Sequence, residues 1–306
     1  MTTTETSRRD FLKILGVGVG SLALSDFKLL AADASPYKPK LGIQLYTVRR
    51  AIEKDFEGTM SRIADMGFKG VEYYPLPENI TAEHAGKVCK ELGLEVLGMH
   101  TPLPIGEDRD KAVKTADALN CKRVIYPGWP KGVKPTDPDV TERGMEIFKN
   151  TEALKRTVEQ YNEIAAFMKT KGLRFGLHNH WWEFEKKNGI IPFYYLLKHL
   201  DDIVFFEIDT YWAKTAGQNP AKAVADFGNR VELLHIKDGP AVKGATMFAH
   251  VPAGEGTLDF PAIAKAGGRN IDWMIVEFDE YDKDIFDGIR KSYSYLTKKG
   301  LAEGKK

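Results

Sequence analysis

The sequence predicts a closed (β/α)8 barrel, and three observations carry the prediction. From residue 40 onward, short β-branched runs alternate with amphipathic stretches of helical period, the pattern of parallel strands joined by crossover helices. Eight such rounds can be counted, and eight parallel strands favour a closed barrel over an open doubly wound sheet. The chain has 306 residues, 43% of them hydrophobic and 11% aromatic, so one barrel uses nearly all of it and disorder is excluded as a class.

Taken in order, the first segment stands apart from the barrel. Ser7-Arg8-Arg9-Asp10-Phe11-Leu12-Lys13 precedes a Gly- and Ala-rich apolar run from Ile14 to Leu24, too short to span a bilayer as a helix. Asp26 and Lys28 break the run and Pro36 and Pro39 follow, which disfavours an ordinary amphipathic first helix. The segment resembles a twin-arginine (Tat) signal, with Ala32-Asp33-Ala34 as a small-x-small site and cleavage expected after Ala34. That resemblance implies export of the folded chain by the Tat translocase, a periplasmic or secreted mature protein, and no stable membrane anchor. Residues 1–34 are then a signal and residues 35–306 a single barrel domain.

The eight strands are expected at Leu41 to Val48, Gly70 to Tyr74, Glu95 to His100, Arg123 to Pro127, Arg174 to His180, Val204 to Thr210, Val231 to Lys237 and Trp273 to Phe278. Helices fill the gaps. One from Thr81 to Leu92 opens on a Thr with Glu83 in its first turn, Asn219-Pro220 reads as a cap followed by an N1 proline, and Glu142 to Lys171 reads as one long helix. A solvated face is the best account of that long helix, although its length leaves room for a homo-oligomer contact. Gly67, Gly93 and Gly172 suit helix C-termini. Two longer loops, Gly128 to Asp139 and Gly239 to Asp259, are expected to rim the site. Gly254-Glu255-Gly256 in the second is a turn, because a phosphate cradle needs more glycines and a helix start.

Composition narrows the function. The 44 basic and 43 acidic residues leave a net charge of +1, so no global field favours nucleic acid or an anionic membrane. A small, weakly charged ligand fits better. The two cysteines, Cys89 and Cys121, show no CxxC or Cys/His spacing, which argues against a disulfide framework or a thiolate metal site.

Strands of a parallel barrel are apolar on both faces, so ionisable residues near their C-terminal ends need partners or chemistry. Here Gln44, Glu72, His100, His178 with His180, Glu207 with Asp209, His235 with Lys237, and Glu277 with Asp279 place polar groups on seven of the eight strands. A spacing of two lets both members of a pair face one side of the sheet. Each alone reads as a hydrogen-bonded structural residue. Their convergence at one barrel end is what points to a cation, since several buried carboxylates without one cost several kcal/mol each. His178, Asp209, His235 and Glu277 are the expected ligands. Two imidazoles and two carboxylates suit one Mn, Zn, Co or Fe ion far better than Ca.

The strand motifs Leu177-His178-Asn179-His180, Ile208-Asp209-Thr210-Tyr211-Trp212, Leu234-His235-Ile236-Lys237-Asp238 and Val276-Glu277-Phe278 resemble the sugar phosphate isomerase/epimerase superfamily, whose fold is the xylose isomerase-like TIM barrel. The resemblance covers about residues 40 to 298. In ketose 3-epimerases of that superfamily Glu, Asp, His and Glu from strands five to eight hold one metal, which matches Asp209, His235 and Glu277. His178 stands where those enzymes carry a glutamate. Because their two glutamates act as an acid and base pair, only Glu277 of that pair remains here, and His180, Glu183 or Lys237 becomes the candidate second acid or base. The His-x-His pattern is closer to the inosose dehydratase branch and related keto-sugar lyases. Trp212, where the epimerases often have His, is expected to wall the sugar ring. Gln44, Glu72 and His100 are expected to bind substrate or support the ligands, with Tyr46, Tyr126 and His250 as outlying candidates.

The resemblance implies a metal-dependent isomerase or epimerase acting on a keto-sugar or sugar derivative through an enediolate. Expulsion of a β-substituent after the same first step makes a dehydratase or lyase, including one acting on a 3-keto-glycoside. Export favours a free, oxidised or glycosidic sugar over a phosphorylated one. Two other readings stay open. A multi-zinc phosphodiesterase shares the barrel, but His84 and His199 fall in helices and the charge is wrong for DNA. A non-catalytic sugar-binding barrel is suggested by Trp129, Trp181, Trp182 and Trp212 near loop positions.

Overall fold

The computed structural model describes residues 37–129 and 140–305. The Tat-like segment, the cleavage site at Ala34 and most of the predicted rim loop Gly128 to Asp139 lie outside the described residues. One compact unit, Lys38–Lys306, holds the barrel.

Its strands are β1 (Lys40–Gln44), β2 (Gly70–Tyr73), β3 (Glu95–His100), β4 (Arg123–Tyr126), β5 (Arg174–His178), β6 (Phe205–Asp209), β7 (Val231–Ile236) and β8 (Trp273–Val276). Each pairs in parallel with the next, and β8 pairs with β1 to close the barrel. The outer helices are α1 (Phe56–Asp65), α2 (Ala82–Glu91), α3 (Gly106–Ala118), α4 (Thr151–Thr170), α5 (Pro192–His199), α6 (Pro220–Phe227), α7 (Phe260–Gly267) and α8 (Ile285–Lys298). Thr81 and Asn219 cap α2 and α6 as expected, each accepting from the backbone N–H three residues on. No described helix is long and apolar enough to cross a membrane.

Two expectations are corrected by local hydrogen bonding. The first strand stops at Gln44, because its side-chain oxygen accepts from Tyr46 N and starts a 3-10 turn over Leu45–Val48. The long helix predicted for Glu142 to Lys171 is broken. A short helix, Val140–Met145, and a 3-10 turn, Glu146–Phe148, precede Asn150, whose side chain accepts from Ala153 N and opens α4.

Inside the barrel, Leu97, Ile125, Phe205, Leu233, Trp273 and Ile275 form a separate apolar plug. The Phe205 ring passes so close to Gly176 that a Cβ there would lie 2.3 Å from it, which explains a glycine in mid-strand. Strand parity then puts Glu207, two residues after Phe205, and His235, two after Leu233, on the same inner face. Strands β2 and β6 each slip one residue in register at Val71/Glu72 and Phe206/Glu207. Such irregularities re-aim side chains, and here they fall at the two buried glutamates.

Candidate metal centre and active site

A polar layer lies over the apolar plug. Glu72 Oε2 accepts from Gln44 Nε2 and faces His235 Nε2, both at 2.6 Å, and the other nitrogen of His235, Nδ1, is 2.6 Å from Glu277 Oε2. A carboxylate therefore lies against each ring nitrogen. Burial opposes a charge on the ring, but Glu207, Glu277 and Glu72 outweigh it and hold the imidazole well above its ordinary value. Glu207 Oε2 takes His100 Nε2 at 2.8 Å and His178 Nδ1 at 2.9 Å. Burial likewise works against His100, and Glu72 and Glu207 raise it to about 9.

Above this layer, Lys237 Nζ lies 2.9 Å from Asp209 Oδ2, 2.8 Å from Glu277 Oε2 and 2.9 Å from Asp279 Oδ2. Burial pushes the ammonium down, but these three carboxylates hold it well above the usual lysine value. Asp209 is raised to about 6 by burial, against the pull of Lys237 and His235. Its other oxygen, Oδ1, accepts from Trp212 N and starts the short helix Thr210–Thr215.

The donor set suits a divalent ion. Ligand atoms of Asp209, His235 and Glu277 lie within 4.8 Å of one another, all buried. Asp209 Oδ2 is met by the Lys237 ammonium at 2.9 Å, and Glu72 Oε1 and Glu207 Oε1 are buried and accept no hydrogen bond from the described residues, so the layer keeps acceptor capacity for a further cation. His178 belongs to an adjoining group with His100, Glu207 and His235. Three of the four expected ligands therefore share one group, and His178 meets them through His235, their rings 4.6 Å apart.

A cavity of about 240 Å³ opens onto these groups. Lys237, Glu277, Asp279, His100, His178 and His180 line it, with Gln44, Tyr46, Tyr74 and Trp129 among the walls. Among the described residues, His180 brings a buried Nδ1 without a partner, and its ring stacks on Trp182 at 4.5 Å. Burial and the Lys237 charge hold this imidazole neutral, well below its ordinary value.

Three of the expected site residues, Trp212, Glu72 and the acid-base candidate Glu183, do not line this cavity. Trp212 is fully buried and does not line the cavity. The Asp209 cap turns it into the barrel wall, where it packs 5.0 Å from Trp181 and 5.4 Å from Phe248. Glu72 lies beneath His235 as its support. Glu183 sits behind the cavity and accepts from His180 N at 2.9 Å. Tyr126 and His250 do not line the cavity either. Asp279, noted beforehand only as a strand-end polar residue, and Tyr74, named only as the end of a strand, also line it. Asp279 repeats the spacing of two seen in the His178/His180 and His235/Lys237 pairs. His84 pairs with Glu57 at 2.6 Å on the outer surface and His199 packs on Tyr195, so neither reaches a multi-metal centre.

Glu183 supplies a test of the electrostatics. Burial raises its carboxyl well above 4.5, so the native state binds a proton that the unfolded chain has released. Its contribution is fully present below pH 4.5 and is lost as pH rises through the raised native value. Glu183→Gln, an isostere of the protonated acid, is expected to flatten the fall in stability over that window. Denaturant melts from pH 4 to 8 check this, and parallel curves for both proteins would refute it.

Comparison with known proteins bears on the same residues. Residues 60–299 match the family model described as the xylose isomerase-like TIM barrel. The chain is 23% identical over 278 residues to an inosose dehydratase of Clostridium beijerinckii, covering 81% of this chain and 90% of that protein. A sugar phosphate isomerase/epimerase structure from Parabacteroides distasonis superposes with TM-score 0.71 at 22% identity, covering 89% of this chain and all of that one. An L-ribulose 3-epimerase superposes with TM-score 0.62 at 16% identity, covering 86% and 94%. At these identities the structural likenesses establish the fold.

Proposed function

The chain belongs to the xylose isomerase-like TIM barrel family, and on that premise we propose that it is a divalent-metal-dependent enzyme that removes the proton beside the carbonyl of a keto-sugar or sugar derivative. The observation that carries this reading is the convergence of Asp209, His235 and Glu277, whose two carboxylates already draw a cation in the Lys237 ammonium, next to a cavity of single-sugar size. These three residues would hold the ion. His178, whose Nδ1 is fixed by Glu207, keeps its other ring nitrogen for a fourth position. When bound, the ion supplies Lewis-acid stabilisation of the negative charge that builds on the substrate's oxygen.

This chain's own residues perform the proton chemistry. Neutral His180, with Nδ1 unpartnered, is suited to accept a proton. Lys237 carries a proton as an ammonium and gives it up more readily once Asp209 and Glu277 are drawn away from it to the ion. The similarity to an inosose dehydratase supports loss of a β-substituent as the outcome. Epimerisation or isomerisation is the second outcome, supported by the cavity carboxylate of Glu277. The Ser7 to Lys13 segment supports action outside the cytoplasm on a free or glycosidic sugar.

Incubation of the metal-loaded protein with a panel of ketoses and 3-keto-glycosides in D2O, followed by NMR, tests the reading. Deuterium should enter beside the carbonyl, or an unsaturated product should appear, and a chelator should abolish both. A panel that shows neither, from a protein whose melting ignores chelator, would favour the non-catalytic sugar-binding barrel.

A further inference from the structure

Lys237 draws on the same carboxylates as the proposed ion. Its Nζ stands 2.9 Å from Asp209 Oδ2 and 2.8 Å from Glu277 Oε2, so ammonium and divalent ion compete for two of the three ligands, and two cations so close repel strongly in a buried setting. The third contact of Lys237 lies outside that ligand group. Asp279 Oδ2 is 2.9 Å from Nζ and accepts no well-aligned hydrogen bond, so it has capacity to receive the ammonium. The Asp279 backbone N–H donates to His250 Nδ1 at 3.0 Å, which anchors it beside the cavity. A flexible four-carbon stem lets Lys237 shift while keeping this contact.

We propose that Asp279 is a positioning residue that takes Lys237 over when a divalent ion occupies Asp209, His235 and Glu277, which relieves the competition and keeps the ammonium on the cavity wall as the proton donor. The inference rests on the metal reading above. Two opposite effects follow. Removing Lys237 removes a competitor and tightens the ion, whereas removing the Asp279 charge leaves Lys237 on the ligands and weakens it.

Titration of the purified protein with Mn²⁺, with free ion followed by electron paramagnetic resonance, tests this without reference to activity. Lys237→Met is expected to tighten Mn²⁺ about tenfold or more. Asp279→Asn should weaken it by a similar factor when Lys237 is present and by much less in the Lys237→Met background. Equal effects of Asp279→Asn in both backgrounds would reduce Asp279 to a bulk charge and overturn the proposal, as would a Lys237→Met protein that binds no tighter than the parent. Lys237→Gln serves the same comparison if Lys237→Met does not fold, judged by thermal melting. A parent protein that takes up neither Mn²⁺ nor Zn²⁺ overturns the metal reading itself, an outcome distinct from the other two.

Discussion

Replacing His235 by Ala is expected to cost about 3–5 kcal/mol of folding stability and to abolish uptake of a divalent ion. The side chain is fully buried, and its two nitrogens satisfy Glu72 and Glu277, each at 2.6 Å. Ala leaves both carboxylates facing a void the size of an imidazole, with Glu207 losing a further contact at 3.2 Å. Loss of packing alone costs less, because a polar void can admit water. The uncompensated charge is therefore the larger effect. His235→Gln, which can donate to one carboxylate but not both, should fall between the parent and Ala. Urea unfolding with an unchanged m-value checks the ranking. A loss below about 1 kcal/mol for His235→Ala, within the range of an ordinary exposed ion pair, would mean that the carboxylates are stabilised by other groups and that His235 is not the centre of the layer.

The residues that make this layer were legible for a physical reason. A parallel strand covered on both faces should be apolar, so Glu207, Asp209, His235 and Glu277 stood out against their neighbours, and a period of two placed them on one side. The ring direction of His178 was not legible. It depends on Glu207, its direct partner across the β5–β6 pair, and the register that makes them partners is set by the closed sheet and not by either strand's own pattern. Trp212 was misplaced because Asp209 was read only as a ligand. Its second role as the cap of Thr210–Thr215 turns the following residues away from the cavity. The broken helix before α4 had a visible signal in Asn150-Thr151-Glu152, a cap followed by an acidic first turn, which the amphipathic pattern on either side obscured. Asp279 had the right spacing beyond Glu277, but its task as an acceptor for Lys237 is a matter of three-dimensional approach.

Asp238→Asn is expected to cost about 2–4 kcal/mol, with the damage concentrated in the loop that follows β7. The buried Asp238 carboxylate accepts four backbone N–H groups, from Gly239 and Leu258 at Oδ1 and from Gly254 and Gly256 at Oδ2. This explains the Gly254-Glu255-Gly256 turn, since a Cβ at Gly256 would lie 2.1 Å from Asp238 Oδ1. An amide keeps one acceptor and presents an NH2 to the other pair of donors, which turns two attractions into repulsions. The loop reaches the site through contacts that include Tyr211 Oη donating to Met247 O at 2.8 Å, the Ala241 N–H donating to Tyr211 Oη and the Asp279 N–H donating to His250 Nδ1. Loosening it should therefore release Asp279 from its anchor while leaving the Asp209, His235 and Glu277 group in place. Hydrogen exchange should speed up over residues 239–258 well before global unfolding, and Mn²⁺ binding should weaken in the direction expected for Asp279→Asn. Unchanged exchange in the loop would show that Asp238 does not act through this loop.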